Sequence, residues 1–256
     1  VTGETRRINR GAGHSYILDG LAVDGVTGIL DRGVAKPALI NWSAEQTAAY
    51  AVNNWDELSQ DGLVQRLKKI EKGRFESFKA ATARGTKVHQ YAAALVVGET
   101  VDVPDPYRDY VDQCIRFLDE WNVHELAVEV TVINRQWRYM GAADLIARVG
   151  DSLECWLFDW KTGGGGIFPE VALQLAAYAN AETMLDPDDN ELELPRITRA
   201  AAVSLRADYY EVIPVDITPA TFRTFLYAQQ MAQFSQRDRA DFVGEALKNP
   251  TVEGVA

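Results

Sequence analysis

Residues 141–149 read Gly-Ala-Ala-Asp-Leu-Ile-Ala-Arg-Val, and residues 153–161 read Leu-Glu-Cys-Trp-Leu-Phe-Asp-Trp-Lys. Both stretches are apolar and strand-like, and Gly150, Asp151 and Ser152 between them supply turn chemistry, so the pair reads as a β-hairpin. A turn at Asp151 and Ser152 sets Asp144 directly opposite Asp159. A turn at Gly150 and Asp151 sets Asp144 opposite Leu157 and diagonal to Asp159. In both registers the side-chain period of two puts Asp144, Asp159 and Lys161 on one face; a three-residue loop would break this. Directly opposed side chains have Cβ atoms roughly 4.5–5.5 Å apart, and like charges there destabilise a sheet. A divalent cation between the carboxylates removes the penalty, and two carboxylates with a lysine around a hard cation form a phosphodiester-hydrolysis site. The same short pattern also suits a solvated polar face, or a lysine neutralising two surface acids.

Charge tests the idea. The chain of 256 residues carries a net charge of −11, which argues against nucleic acid. Its distribution matters more. Residues 64–87 hold Arg66, Lys68, Lys69, Lys72, Arg74, Lys79, Arg84 and Lys87 against Glu71 and Glu76, a local +6 that leaves −17 elsewhere. Such a segment can hold a phosphate backbone, or be a solvated helix face. Length suits one large domain or two small ones. No apolar run approaches the roughly 18–20 residues of a membrane span, and the N-terminus shows no apolar signal region, so the expected location is the cytoplasm, with no membrane partner. The two cysteines, Cys114 and Cys155, give neither a disulfide framework nor four ligands for zinc or an iron–sulfur cluster.

Along the chain, residues 1–13 read as a flexible leader. Residues 15–18 and 21–23 flank Asp19 and Gly20, a strong two-residue hairpin signal, and residues 25–30 lead into a turn or short helix. Helical spacing covers residues 38–52, 55–70 and 75–94, with a break expected at Gly85 and Thr86, where Thr86 would cap the segment carrying His89. Residues 108–121 form an amphipathic helix. Strands follow at 126–133, 137–149 (with Gly141 a candidate bulge) and 153–160. The glycines of 163–166 are not a phosphate-binding loop, since no G-x-x-x-x-G-K-[ST] occurs. A helix at 169–184, an acidic loop at 186–191, strands at 197–205 and 209–215, and helices at 219–233 and 238–248 complete the chain. This order implies an α/β fold: a central mixed sheet flanked by helices in residues 85–256, with a hairpin and helical lobe in residues 14–84.

Four motifs in order carry a family resemblance: Gly85-Thr86-Lys87-Val88-His89, Gly141-Ala142-Ala143-Asp144, Asp159-Trp160-Lys161-Thr162-Gly163, and Gln174-Leu175-Ala176-Ala177-Tyr178. Together they resemble the RecB-type branch of the PD-(D/E)XK nucleases. The stretches His14-Ser15-Tyr16, Gly25-Val26-Thr27 and Leu39-Ile40-Asn41-Trp42 further resemble phage exonucleases of that branch, relatives of the CRISPR-adaptation exonuclease. The resemblance covers roughly residues 14–235. It implies a restriction-endonuclease-like core in which Asp144 and Asp159 hold metal, His89 is a further ligand and Lys161 positions the attacking water. Gln174 and Tyr178 would brace the site and touch DNA. Many relatives carry four cysteines for an iron–sulfur cluster, and this chain departs from them.

Residue chemistry agrees with these roles. Carboxylates suit Mg²⁺ or Mn²⁺, and an imidazole nitrogen tilts preference toward Mn²⁺. Glu129, on the preceding strand, could reach the metals or their water shell. The basic run nominates Lys68, Lys69, Lys72, Arg84 and Lys87 as a DNA path leading to His89, with Phe75 and Phe78 either stacking bases or packing. The expected function is therefore a metal-dependent DNA exonuclease acting on DNA with a free end, in recombination, repair or phage DNA metabolism, with a single-strand annealing protein or helicase as possible partner. The alternatives are a structure- or sequence-specific endonuclease and a non-catalytic DNA-binding subunit.

Overall fold

The computed structural model describes residues 3–10 and 13–247, with side chains at all of these except 10, 74, 76–78, 80 and 81. The chain opens with three strands, β1 (Arg6–Arg10), β2 (Gly13–Leu18) and β3 (Leu21–Gly25), in an antiparallel meander. Asp19 and Gly20 turn between β2 and β3 with φ of 52° and 80°, as a primed two-residue hairpin requires. The leader expectation needs correction. Residues 6–10 pair along β2, with Arg7 opposite Tyr16, because the edge of β2 offers a row of unpaired backbone groups. Residues 1, 2, 11 and 12 lie outside the described residues.

The helices α1 (Val26–Gly33), α2 (Pro37–Asn53), α3 (Trp55–Leu58) and α4 (Leu63–Val96) follow. The expected helix over 55–70 is interrupted by a turn before Gly62, which caps α4. The expected break at Gly85 and Thr86 is absent, and α4 runs unbroken for 34 residues. An interior glycine costs about 1 kcal/mol relative to alanine, too little to stop a helix whose far end is packed against the sheet.

Helix α5 (Asp105–Glu120) precedes three antiparallel strands, β4 (Val123–Asn134), β5 (Tyr139–Val149) and β6 (Trp156–Lys161). Helix α6 (Glu170–Ala179) stops short of its expected end at 184. There β7 (Thr183–Leu185) adds to β4 and turns through the acidic loop into β8 (Glu191–Glu193). Strand β9 (Arg199–Leu205) lies parallel to β6, β10 (Tyr210–Pro214) pairs with β9, and α7 (Pro219–Ser235) closes the fold. The terminal helix expected at 238–248 is only a 3-10 turn at Arg239–Asp241; residue 248 lies outside the described residues.

The result is an α/β fold with a curled mixed sheet flanked by helices. Ile146, Leu157 and Ala202 face α1, α6 and α7. Leu145, Phe158, Trp160 and Val203 face α5 and the C-terminal half of α4, which contribute Phe117, Cys114, Val88 and Ala92. Phe117 anchors this second layer edge-on to Phe158 at 5.2 Å and to Trp160 at 5.6 Å. The two cysteines are both buried, one in each layer. Among the described residues no helix is long and apolar enough to cross a membrane.

Gly141 is not a bulge. It pairs regularly with Val132, and the irregularity in β4 falls between Glu125 and Ala127. Its missing side chain makes room instead for Tyr178, whose ring would stand 2.4 Å from a Cβ there.

Candidate metal centre

Strand β5 shares one edge between two partners. Tyr139 and Met140 end on β3, and the antiparallel ladder to β6 spans Leu145 to Ala147. The candidate centre lies at the notch between them. Ala147 opposite Trp156 and Leu145 opposite Phe158 define a register that, carried one residue further, sets Asp144 opposite Asp159. This is the first of the two registers that the sequence allows. On the other edge of β5, Val128 opposite Leu145 and Val130 opposite Ala143 set Glu129 opposite Asp144.

Past the Leu145–Phe158 pair, side chains take over from the ladder. The Trp160 backbone N–H donates to Asp144 Oδ2 at 2.8 Å. The Trp160 carbonyl accepts from His89 Nε2 at 3.0 Å. His89 is held in place by its neighbours Val88 and Ala92, which are fully buried. With Nε2 donating there, Nδ1 faces the acids, 3.4 Å from Asp144 Oδ2, and is the ring position that a metal would take once its proton leaves. Ligand atoms of His89, Glu129 and Asp144 all fall within 4.8 Å of one another. Glu129 reaches this group from a left-handed backbone, φ 50°, a conformation that strains a side chain with a Cβ and gathers at functional positions.

Asp159 stands beside this trio and not in it. Its Oδ2 lies 2.5 Å from Lys161 Nζ, and its Oδ1 accepts from Gln174 Nε2 at 3.2 Å. Gln174 and Tyr178, one turn apart on α6, are also bonded to each other at 3.2 Å. Tyr178 is buried and Lys161 is partly open to solvent. The expected site residues of the core, His89, Glu129, Asp144, Asp159, Lys161, Gln174 and Tyr178, thus meet in one place, delivered by α4, β4, β5, β6 and α6.

Burial and mutual repulsion set the electrostatics. Burial and then Asp144 push the Glu129 carboxyl up to about 7. Burial also raises Asp159, with Asp144 adding to it against the opposing pull of Lys161. Burial would lower His89, but the Asp144 carboxylate outweighs it and raises the imidazole to about 9. Asp144 is held below its usual range: burial works against ionisation, and His89, Lys161 and the Trp160 N–H overcome it. Lys161 is raised because Asp159 and Asp144 outweigh burial. Three acids crowded against one lysine and one imidazole fit a divalent cation, which would offset the burial and the repulsion that raise the Glu129 carboxyl. The donor set, two carboxylates and one imidazole, suits Mg²⁺ or Mn²⁺.

The proposed DNA path is gathered less closely. Lys68 and Lys72 are exposed but lie about 32 and 26 Å from His89 along α4 at 1.5 Å per residue. Lys69 is committed to Glu57 and Asp61, each at 2.9 Å. Arg84 stacks on Tyr110 with its guanidinium 5.4 Å from the ring centre. Lys87 bonds Gln90 at 3.2 Å and, two residues from His89, projects from the opposite side of the helix. Charges beside the centre are therefore fewer than the run suggests. Phe75 is partly exposed, and the Phe78 side chain lies outside those described.

One residue near the centre was not legible in the sequence. Arg7 Nη1 donates to the Glu129 carbonyl at 3.4 Å. It lies in the stretch that reads as a leader, and no local pattern there signals a link to a residue 122 positions away. No family model matches this chain, and no curated protein matches its sequence.

Proposed function

We propose that this protein is a metal-dependent DNA exonuclease of the PD-(D/E)XK type, hydrolysing phosphodiester bonds at DNA ends in recombination, repair or phage DNA metabolism. The observation that carries the reading is the meeting of His89, Glu129 and Asp144 next to the Asp159–Lys161 pair in one notch of the sheet. The order β4–β5–β6 antiparallel, then α6, then β9 parallel to β6 supports the same core. His89, Glu129 and Asp144 would hold a Mg²⁺ or Mn²⁺ ion, which when bound would supply Lewis-acid activation of water and phosphate. Lys161 Nζ, anchored by Asp159, orients the attacking water and sets positive charge beside the phosphate oxygens where negative charge develops. Gln174 fixes the second Asp159 oxygen, and Tyr178 backs Gln174 against Gly141. The Trp160 peptide holds Asp144 and His89 in register with each other.

Digestion of end-labelled linear DNA and covalently closed circles with Mg²⁺ or Mn²⁺ tests the proposal. Linear DNA should yield short products, and circles should resist. Rapid cutting of circles would replace the exonuclease reading with the endonuclease one. No cleavage of either, by protein that binds Mn²⁺, would overturn the enzyme reading.

A further inference from the structure

We propose that Arg7 of the N-terminal strand is a phosphate-binding residue of this same centre, holding the sugar–phosphate backbone of the DNA next to the metal ligands; the inference rests on the nuclease reading. Strand β1 pairs with β2 so that Arg7 stands opposite Tyr16, which is buried. From there one guanidinium nitrogen reaches the carbonyl of Glu129, the residue whose left-handed backbone brings its carboxylate to His89 and Asp144. The remaining donors of the fork have no hydrogen-bond or ion-pair partner among the described residues. Several arginines here are paired with carboxylates, among them Arg32 with Asp24, Arg116 with Glu120, Arg135 with Glu191 and Arg199 with Glu154. Arg7 is half-buried and bonded to the backbone of a metal ligand, Glu129, yet no carboxylate lies at ion-pair distance from it among the described residues. An arginine presents five donors in a planar fork that matches two phosphate oxygens at once. In a protein of net charge −11, most of the surface repels DNA, so a cation at the reacting phosphate has more effect than distant surface lysines. Lys161 approaches the notch from β6 and Arg7 from β1, so the two cations would flank the phosphate from different strands.

The test uses Arg7→Gln, which keeps an N–H for the Glu129 carbonyl and removes the charge, and Arg7→Lys, which keeps the charge and removes the fork. A short fluorescein-labelled single strand is titrated in Ca²⁺ over several salt concentrations, Mn²⁺ affinity is measured by calorimetry, and cleavage is assayed in parallel. Arg7→Gln should bind the strand about tenfold to a hundredfold more weakly. Its salt slope should be shallower by about 0.7, one phosphate contact on a single strand, with Mn²⁺ affinity kept within about twofold. Arg7→Lys should keep the slope and lose part of the affinity. A wild-type slope in Arg7→Gln overturns the proposal, and weakened Mn²⁺ binding with that slope assigns Arg7 to bracing Glu129 alone. Should Arg7→Gln not fold, Arg7→Lys decides: wild-type affinity there overturns the role of the fork. A wild-type protein that cuts DNA while the variants match it defeats only this inference; one that neither binds nor cuts DNA defeats the nuclease reading as well.

Discussion

The two ends of α4 belong to different kinds of structure. At its C-terminal end Val88 and Ala92 are fully buried under β6, and His89 between them is fixed to a backbone carbonyl. At its N-terminal end Leu63, Val64 and Leu67 are each more than half exposed, and the helix it crosses, α2, buries none of its residues. One helix thus carries a ligand held by a packed core and a basic stretch held by surface contacts and a few ion pairs. Burial scales with the precision a side chain needs: a metal ligand must stay within a fraction of an ångström, whereas a charge that attracts a polyanion need only be on the right side of the molecule.

The largest effect expected from this contrast is on chemistry. Asp144→Asn and Lys161→Ala should each lower kcat by about 10²–10³ or more, with the fold retained by near-ultraviolet circular dichroism. Substitutions in α2 should leave kcat alone. A folded Asp144→Asn protein with full activity would break the comparison at its catalytic end.

Two glycines sharpen it. An alanine at 141 would put Cβ 2.4 Å from the ring of Tyr178, which is buried beneath α6 and tied to Gln174. An alanine at 73 would put Cβ 2.1 Å from the ring of Tyr50 on α2. Gly141→Ala should destabilise by about 1–3 kcal/mol, since the core cannot yield without moving Tyr178. Gly73→Ala gains about 1 kcal/mol of helix propensity, and α2 can shift to relieve the clash, so its net effect should be smaller. Denaturant midpoints measure both; equal losses would mean the lobe is as rigid as the core.

How much of this could be read from the sequence follows the same division. That Asp144, Asp159 and Lys161 share a face was readable from the period of two, but the turn residues left two registers open; the ladder between β5 and β6 selects the one that opposes Asp144 to Asp159, through a connection that runs from 150 to 155. The mixed sheet was readable from the order of apolar runs. His89 was not readable from local pattern, since a lone histidine on an apolar helix face is ordinarily a core residue; it entered through the resemblance. Gly85 and Thr86 misled because capping rules describe a helix end in isolation, while α4 continues through the pair into the packed segment of Val88 and Ala92. Strand β7 was hidden at the end of a helical pattern, being only three residues long and defined by its partner β4. Arg7 was unreadable because its meaning depends on a contact made only after the sheet has formed.

A third effect concerns pH. His89 is raised to about 9 and Glu129 to about 7, so the metal-free protein holds a proton on each near pH 6, and a cation must displace both. Around pH 8 Glu129 is ionised and only the His89 proton remains. Apparent Mn²⁺ affinity should therefore rise from pH 6 to 9, more steeply below pH 7 than above it, and the thermal stabilisation given by Mn²⁺ should grow in the same direction. In Glu129→Gln the steeper segment should vanish. An affinity independent of pH over this range would mean that the ion binds elsewhere.

The smallest expected effect is at the other end of α4. Lys68 and Lys72 sit about 60° and 100° around the helix from His89, and several turns away. At that range, beyond a Debye length of about 8 Å, they cannot influence metal or phosphate at the centre directly. They matter only if DNA runs along α4. Lys68→Ala with Lys72→Ala should then reduce the salt slope by about 1.4 on a single strand, two phosphate contacts, raise KM modestly, and leave kcat, Mn²⁺ affinity and stability almost unchanged, as exposed charges away from special contacts usually do. Lys69 is the internal control. Because it is paired with Glu57 and Asp61, Lys69→Ala should show up in lobe stability and leave the salt slope alone. If instead the double variant keeps the wild-type slope, the stretch is a solvated face, and DNA leaves the centre along a different surface.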